Sequence, residues 1–317
     1  MVRPEVVDME RYEHDVVVVG GGAAGLSGAV ALLRSRRRVL VVDAGRPRNA
    51  PAAGVHNLLT RDGLPPLELV ALGREEVRRY GGAVREGRVI AAERLGDGFT
   101  VRLDGGERLT TRRLLVTSGL VDELPEVAGL RERWGHQVLH CPYCHGWEVR
   151  DQRIGVLATG PAAVHQALLF SQLSDDVVVL THTSPPQGED RARLAAAGVR
   201  LQEGEVVALE GPPDGLQGAR LVDGTTVPLD ALVIAPRMLA RSAVLDSLGL
   251  APEPHPSGLG EQYPSGPAGM TGVPGVWVAG NVTDVGAQVV GAAAAGTMAG
   301  AAINMDLVES DLRERVA

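Results

Sequence analysis

At 317 residues, 44% of them apolar and 22% charged, the chain has the composition of a soluble globular protein and is long enough for two cores of ordinary size. A net charge of −8 excludes the basic footprint of a nucleic-acid or anionic-membrane binder. With aromatic residues at 3%, alanine, valine and leucine must build the core around 41 glycines.

The N-terminal lead carries charges where a signal peptide needs an apolar run, so a cytoplasmic location is expected. His14 to Gly20 then reads HDVVVVG, a β-branched run typical of a parallel strand covered on both faces. It enters Gly20-Gly21-Gly22-Ala23-Ala24-Gly25, a G-x-G-x-x-G turn on Gly20, Gly22 and Gly25, followed by the helical pattern LSGAVALLRSRR and a strand VLVV closing on Asp43 and Ala44. The glycine pattern alone is weak in a glycine-rich chain. Strand, turn, helix, strand and terminal acid together make the dinucleotide fingerprint. Gly20 permits the sharp turn, Gly22 lets backbone approach a pyrophosphate, and Gly25 lets helix and strand pack closely. The first helical amides, at Ala23 and Ala24, face the phosphates, and Asp43 is expected to bind ribose hydroxyls.

Arg36-Arg37-Arg38 reads as a solvated helix end. Gly45 to Gly63 is a loop by composition, in which Arg46, Arg48 and His56 either reach the dinucleotide or face water. Leu67 to Tyr80 has an amphipathic helical pattern, and Val84 to Val116 reads as antiparallel strands with turns at Gly96-Asp97-Gly98 and Asp104-Gly105-Gly106. LLVTSG is a buried strand ending at Gly119, where the chain leaves the domain beside the cofactor. Beyond it, VDELPEVAGLRERWG suggests turns and a surface helix.

His140 to Glu148 reads HCPYCHGWE and contains both cysteines of the chain, Cys141 and Cys144. Thiols at C-x-x-C spacing pass electron pairs by opening and closing a disulfide. The thiolate is the reactive form, and a helix after Cys144 together with a nearby imidazole would lower the thiol pKa. His145 is the preferred general acid–base, with His140 the second candidate. Zinc is the competing reading of four donors in six residues. One short segment wraps a tetrahedral ion poorly and no second cysteine pair exists, so no metal is expected.

Arg153 to Leu180 repeats the strand–turn–helix–strand layout with a damaged turn. Ala158 and Ala163 replace the first and third glycines, and Pro161 occupies the bend. After the strand VVVL stand Thr181, His182 and Thr183, neither the acid that reads NAD nor the arginines that read NADP. Pro252 to Pro274 is a long irregular connection to a strand at Val276 to Ala279. The polar turn of Gly280, Asn281 and Asp284 follows, then an alanine-glycine helix opening at Gln288 and Val289. That helix is too weakly apolar for a membrane span and is expected to be buried and closely packed. The last segment is assigned to the first domain, which becomes discontinuous: residues 1–119 plus 246–317, with 120–245 inserted.

On these residues the chain resembles the thioredoxin reductase-like flavoproteins. VVVVGGGAAGLSGAVALLRSRRRVLVVDAG carries the FAD end, CPYCHGWEVRDQRIGVLATGPAAVHQALLF the redox pair running into the second βαβ unit, and GVWVAGNVTDVGAQVVGAAAAGTMAGAAIN the flavin end. The resemblance implies an α/β fold of two Rossmann-like three-layer domains, the discontinuous one binding FAD and the smaller inserted one carrying C-x-x-C, in a homodimer. It places Cys144 toward the flavin, in a charge-transfer adduct, and Cys141 toward substrate. His145 stands where typical thioredoxin reductases carry an acid, and Asn281 replaces the usual acid near the flavin. The C-P-Y-C-H-G pattern is similar to that of dithiol oxidases closing disulfides in gliotoxin- and holomycin-type products. Those enzymes pass electrons from a small dithiol through FAD to O2 without NADPH. An NAD(P)H-dependent disulfide reductase and a non-catalytic flavin-binding protein are the alternatives, with NAD(P)H use left open.

Overall fold

The computed structural model describes residues 12–212 and 214–316. The described chain divides into two compact units, one drawn from residues up to 50, 66–121 and 238 onward, the other from 51–65 and 122–237.

The first unit opens with β1 (His14–Val19), α1 (Ala23–Arg34) and β2 (Val39–Asp43). Val16, Val17 and Val18 have no exposure, which explains an apolar run without alternation. α2 (Pro66–Arg79) crosses over to β3 (Ala83–Glu86), which pairs parallel with β2. Residues 84–86 were expected in the antiparallel set. A helical crossover returns the chain in the same direction, so this stretch extends the parallel edge instead. β4 (Val89–Leu95), β5 (Gly98–Leu103) and β6 (Arg108–Val116) form the antiparallel meander, with Gly96 and Gly106 at positive φ in its turns. β6 then runs parallel to β1.

Beyond β7 (Leu120–Glu123) the surface helix expected from the sequence is absent; a single 3-10 turn, Arg131–Arg133, stands in its place. Pro125 and Gly129, the latter at φ +78°, break the helical run. Arg133, 6% exposed, donates to the carbonyls of Gly129 at 2.8 Å and Gly211 at 2.7 Å.

In the second unit follow β8 (Val138–Leu139), α3 (Pro142–His145), β9 (Ile154–Leu157), α4 (Ala162–Phe170), β10 (Val177–Leu180), α5 (Gly188–Ala196) and β11 (Arg200–Gln202). Then come β12 (Val206–Glu210), β13 (Gly218–Leu221), β14 (Thr226–Pro228) and β15 (Ala231–Val233). A parallel sheet has the order β11-β10-β9-β15-β8, and β12-β13-β14 is a separate antiparallel sheet.

The chain continues through β16 (Arg237–Ala240), α6 (Ala243–Ser247), β17 (Glu253–Pro254), β18 (Gly260–Gln262), β19 (Val276–Val278) and α7 (Val289–Val316). β19 pairs parallel with the second half of β6, completing a seven-stranded sheet from both ends of the chain. α7 lies against α1 through small residues. A Cβ on Gly296 would stand 1.9 Å from the Ala24 carbonyl oxygen, and one on Gly28 would stand 2.9 Å from that of Gly296. The close packing expected from the sequence is present on the face toward α1, but the helix is not buried as expected: Val290, Met298 and Met305 on its other face are exposed. Among the described residues no helix is long and apolar enough to cross a membrane. Arg37, expected in solvent, is 13% exposed and bonds Asp311 at 2.7 Å and Asn304 at 2.8 Å on α7.

Candidate functional site

In the first unit the glycine turn has the shape its spacing implies. Gly20 sits at φ +103°, and a Cβ there would lie 2.5 Å from the Thr117 carbonyl oxygen. A Cβ on Gly25 would lie 1.9 Å from the Gly20 carbonyl oxygen, so only glycine permits this strand–helix approach. Thr117 holds the turn, its hydroxyl donating to Gly20 O at 2.8 Å and Val19 O at 3.1 Å; no sequence motif marked it. Gly22 differs from its neighbours. It caps α1 with φ −82° and ψ −170°, offers no side-chain cap, and has nothing within 4 Å of where a Cβ would project.

An uncapped helix N-terminus beside open space suits the diphosphate of FAD, the cofactor of this class of fold, with the amides of Ala23, Ala24 and Gly25 available to it. Asp43 is the last residue of β2. Its carboxylate is an organiser, accepting from Gly21 N at 3.0 Å and pairing with Arg74 at 2.5 Å, a partner on α2 that no local pattern revealed. Ala44 is exposed beside it.

The C-terminal segment joins this cradle. A Cβ on Gly280 would lie 3.0 Å from the Ala24 side chain, so the turn after β19 adjoins the N-terminus of α1. Asn281 holds that turn closed, Nδ2 donating to Asp284 O at 3.0 Å and Ala287 O at 2.9 Å. Asp284 accepts from Gly286 N at 3.0 Å, and Gln288 O receives Ala292 N where α7 begins at Val289. These polar groups shape backbone around the site. Gly119, at φ +71°, also has open space where a Cβ would project.

The redox pair lies in the second unit. Cys141 caps α3, a single turn that includes Cys144 and His145, and the amides of Cys144 and His145 both reach Cys141 O at 3.2 Å. The helix expected after Cys144 instead starts before it. Gly146 ends the turn where a Cβ would meet Leu173 and the Pro142 carbonyl oxygen, each at 2.4 Å. Both cysteines are half-buried, while Tyr143 and Trp147 are 63% and 66% exposed.

The two histidines of the motif have different surroundings. His140 Nδ1 stands 3.2 Å from Ile234 O, and the buried Gln166 amide donates to His140 O at 2.9 Å and Ile234 O at 3.0 Å, tying the residue to the end of the parallel sheet. His145 faces other titratable groups. His56, which the sequence left between dinucleotide and solvent, comes from the 51–65 segment to lie edge-on to it, ring centroids 6.2 Å apart. His56 Nε2 is 3.4 Å from Glu148 and Nδ1 is 3.2 Å from Asp62. Burial holds the His145 imidazole below the usual histidine range; Glu148 opposes that shift and His56 adds to it. Donor atoms of His56, His145 and Glu148 lie within 4.8 Å of one another.

The second βαβ differs from the first at its turn and after its second strand. Pro161 caps α4, removing an amide from the helix start. Thr181 bonds Glu203 at 3.3 Å, and His182, at φ +41°, accepts from Val206 N at 3.1 Å through Nδ1. Arg191 pairs with Glu203 at 3.2 Å and Arg193 with Asp190 at 3.1 Å, so the two nearest arginines are engaged inside the unit.

Residues 14–296 match the family model described as pyridine nucleotide-disulphide oxidoreductase. Thioredoxin reductase tcpT of Claviceps purpurea is 31% identical over 84% of this chain and 86% of its own. Thioredoxin reductase sirT of Leptosphaeria maculans is 28% identical over 95% and 96%. Among solved structures, that of HlmI superposes with a TM-score of 0.90 and 46% identity over 96% of this chain and 95% of its own. An oxidoreductase from Agrobacterium tumefaciens does so with 0.86 and 37% over 93% and 98%.

Proposed function

We propose, on the premise that this chain belongs to the pyridine nucleotide-disulphide oxidoreductase family and takes FAD, that it is a dithiol oxidase closing a disulfide in a small-molecule or peptide substrate, with O2 as acceptor. The observation that carries this reading is the second βαβ: a proline at the helix start, and Thr181, His182, Arg191 and Arg193 all bonded within their own unit. An NAD(P)H site reads the ribose with an acid, or its phosphate with arginines, at that strand end, where this chain carries Thr181, His182 and Thr183. The names of the fungal relatives favour the competing reading, an NAD(P)H-dependent disulfide reductase.

The chemistry belongs to the cysteine pair. His145 removes the proton of a substrate thiol, and burial suits it, since a neutral imidazole is the competent base near pH 7. The thiolate attacks Cys141 Sγ, the Cys141–Cys144 bond breaks, and Cys144 leaves as a thiolate. The second substrate thiol then attacks its partner sulfur in the mixed disulfide, closing the product and releasing Cys141. FAD, held by the turn at Gly20 to Gly25, Asp43 and the turn at Gly280 to Asp284, supplies the acceptor for the electron pair left on the cysteines. His140, tied to Ile234 and Gln166, is assigned an anchoring part in place of a second base.

A homodimer is part of the proposal. α7 exposes Val290, Met298, Met305 and Leu312, with Ala294 and Ala301 also exposed between them, an apolar stripe at helical spacing whose other face is already packed on α1. Oxygen uptake by the FAD-loaded protein tests the function. Dithiothreitol alone is expected to drive uptake and peroxide release; turnover only with NADPH plus a disulfide contradicts the oxidase reading.

A further inference from the structure

Closing a disulfide in a dithiol takes two S–H protons from the substrate in each cycle, one for each thiolate that must attack. His145 holds one proton at a time. The first must therefore leave His145 before the second is accepted, and the surroundings of the ring show where it can go.

The segment from Val55 to Leu64 is pinned onto the redox turn. Its ends pair as Val55 N to Leu64 O and Gly63 N to Val55 O, each at 2.8 Å. Asn57, at φ +59°, donates through Nδ2 to Tyr143 O at 2.6 Å, grasping the backbone between the two cysteines, and Asp62 returns to accept from Asn57 N at 3.0 Å. The exposed Thr60 is also left-handed, at φ +71°, a conformation β-branched residues seldom take. The result of these constraints is the placement of His56. Asp62 meets its Nδ1 and leaves Nε2 toward Glu148, the arrangement by which a carboxylate fixes the tautomer and aim of an imidazole. Donor atoms of His145, His56 and Glu148 within 4.8 Å are spanned directly or by one water, and Glu148 and Asp62 are 44% and 69% exposed, opening the cluster to solvent.

We propose that His56 is a positioning and proton-relay residue acting through His145, aimed by Asp62, so that a proton taken from a substrate thiol passes by way of His56 and Glu148 to solvent before the second thiol reacts. This rests on the dithiol reading of the redox pair. No redox partner beyond that reading is needed: the relay moves protons only, and the electron pair goes through the cysteines to FAD as above. The titratable and charged groups facing the His145 ring are Glu148 and His56, with Asp62 behind His56 and the thiols of Cys141 and Cys144 on its own turn.

The test compares FAD-loaded wild type with His56→Ala, His56→Gln and Glu148→Gln in anaerobic bleaching by dithiothreitol across pH. His56→Ala is expected to slow bleaching roughly 10²-fold, the low end for an acid–base group. FAD content and thermal midpoint should be retained, the half-saturating dithiol concentration unchanged, and the rate partly restored by added imidazole, whereas His56→Gln gives the same loss. Because His56 lowers and Glu148 raises the His145 pKa, the acid limb should move to higher pH in His56→Ala and to lower pH in Glu148→Gln. Wild-type rate and profile in His56→Ala, or a loss that imidazole does not relieve with an unmoved profile, overturns the relay. Failure of wild type itself to bleach removes the dithiol reading instead. The titration of His145 followed by NMR then decides the pairing independently: opposite shifts in the two variants support it, and unchanged titration in both overturns it.

Discussion

Gly22→Ala separates cofactor binding from folding. Its φ of −82° and ψ of −170° are open to alanine, and nothing lies within 4 Å of the added methyl, so the unliganded protein meets no clash. Alanine is a poorer helix cap than glycine by roughly 0.5–1 kcal/mol, while the stiffer unfolded chain returns about 0.4–1 kcal/mol. The unliganded protein should therefore hold its thermal midpoint to within about 2 °C. The methyl does occupy the space through which a diphosphate approaches the backbone, and forcing one methyl into a packed contact costs roughly 1–3 kcal/mol, or about five- to 150-fold in FAD affinity. Gly25→Ala is the control: its Cβ would lie 1.9 Å from Gly20 O, so it should unfold the unliganded protein several degrees earlier. Fluorescence titration with FAD and thermal melts of stripped protein measure both quantities. Wild-type FAD affinity in Gly22→Ala, or a large loss of stability without FAD, refutes the assignment of the cradle.

His14, His145 and His182 are each held below the ordinary histidine value, chiefly by burial. As pH falls the unfolded chain protonates on them first, so their contribution, complete above about pH 6.5, is lost as pH drops through the lower folded values. The thermal midpoint should fall between about pH 7.5 and 5.5, less so in His182→Gln, and a flat profile in wild type contradicts this. On the exposed face of α7, Met305→Glu should weaken self-association by roughly hundredfold and shift the protein to monomer in light scattering. An unchanged dimer places the interface elsewhere, and a wild-type monomer refutes the dimer.

The opening βαβ was legible because much of its information is local: a fully covered strand shows as VVVV, and Gly25 answers the Gly20 carbonyl within the same turn. The C-terminal helix was legible for a related reason, since Gly296 and Gly300 pack on Ala24 and Gly28 and therefore keep small residues at helical spacing. What escaped depends on partners distant in sequence. Arg37 and Arg133 look like surface residues until Asp311 and a cluster of carbonyls appear beside them. His56 belongs to a loop whose composition says only that it is a loop. Its approach to His145 requires the Val55–Leu64 pairing and the Asn57 contact to Tyr143, neither of which has a local signature. The site residues nearest the glycine turn split the same way: Asp43 was visible at a strand end, while Thr117 and Arg74, which hold the turn and the acid, were not.

Anaerobic stopped-flow on the FAD-loaded enzyme tests the central claim most directly, with a small dithiol and NADPH or NADH offered separately. Prompt flavin bleaching by the dithiol alone, abolished in Cys141→Ser and Cys144→Ser, is the predicted result. Prompt bleaching by micromolar NADPH or NADH, with none by the dithiol, would contradict it.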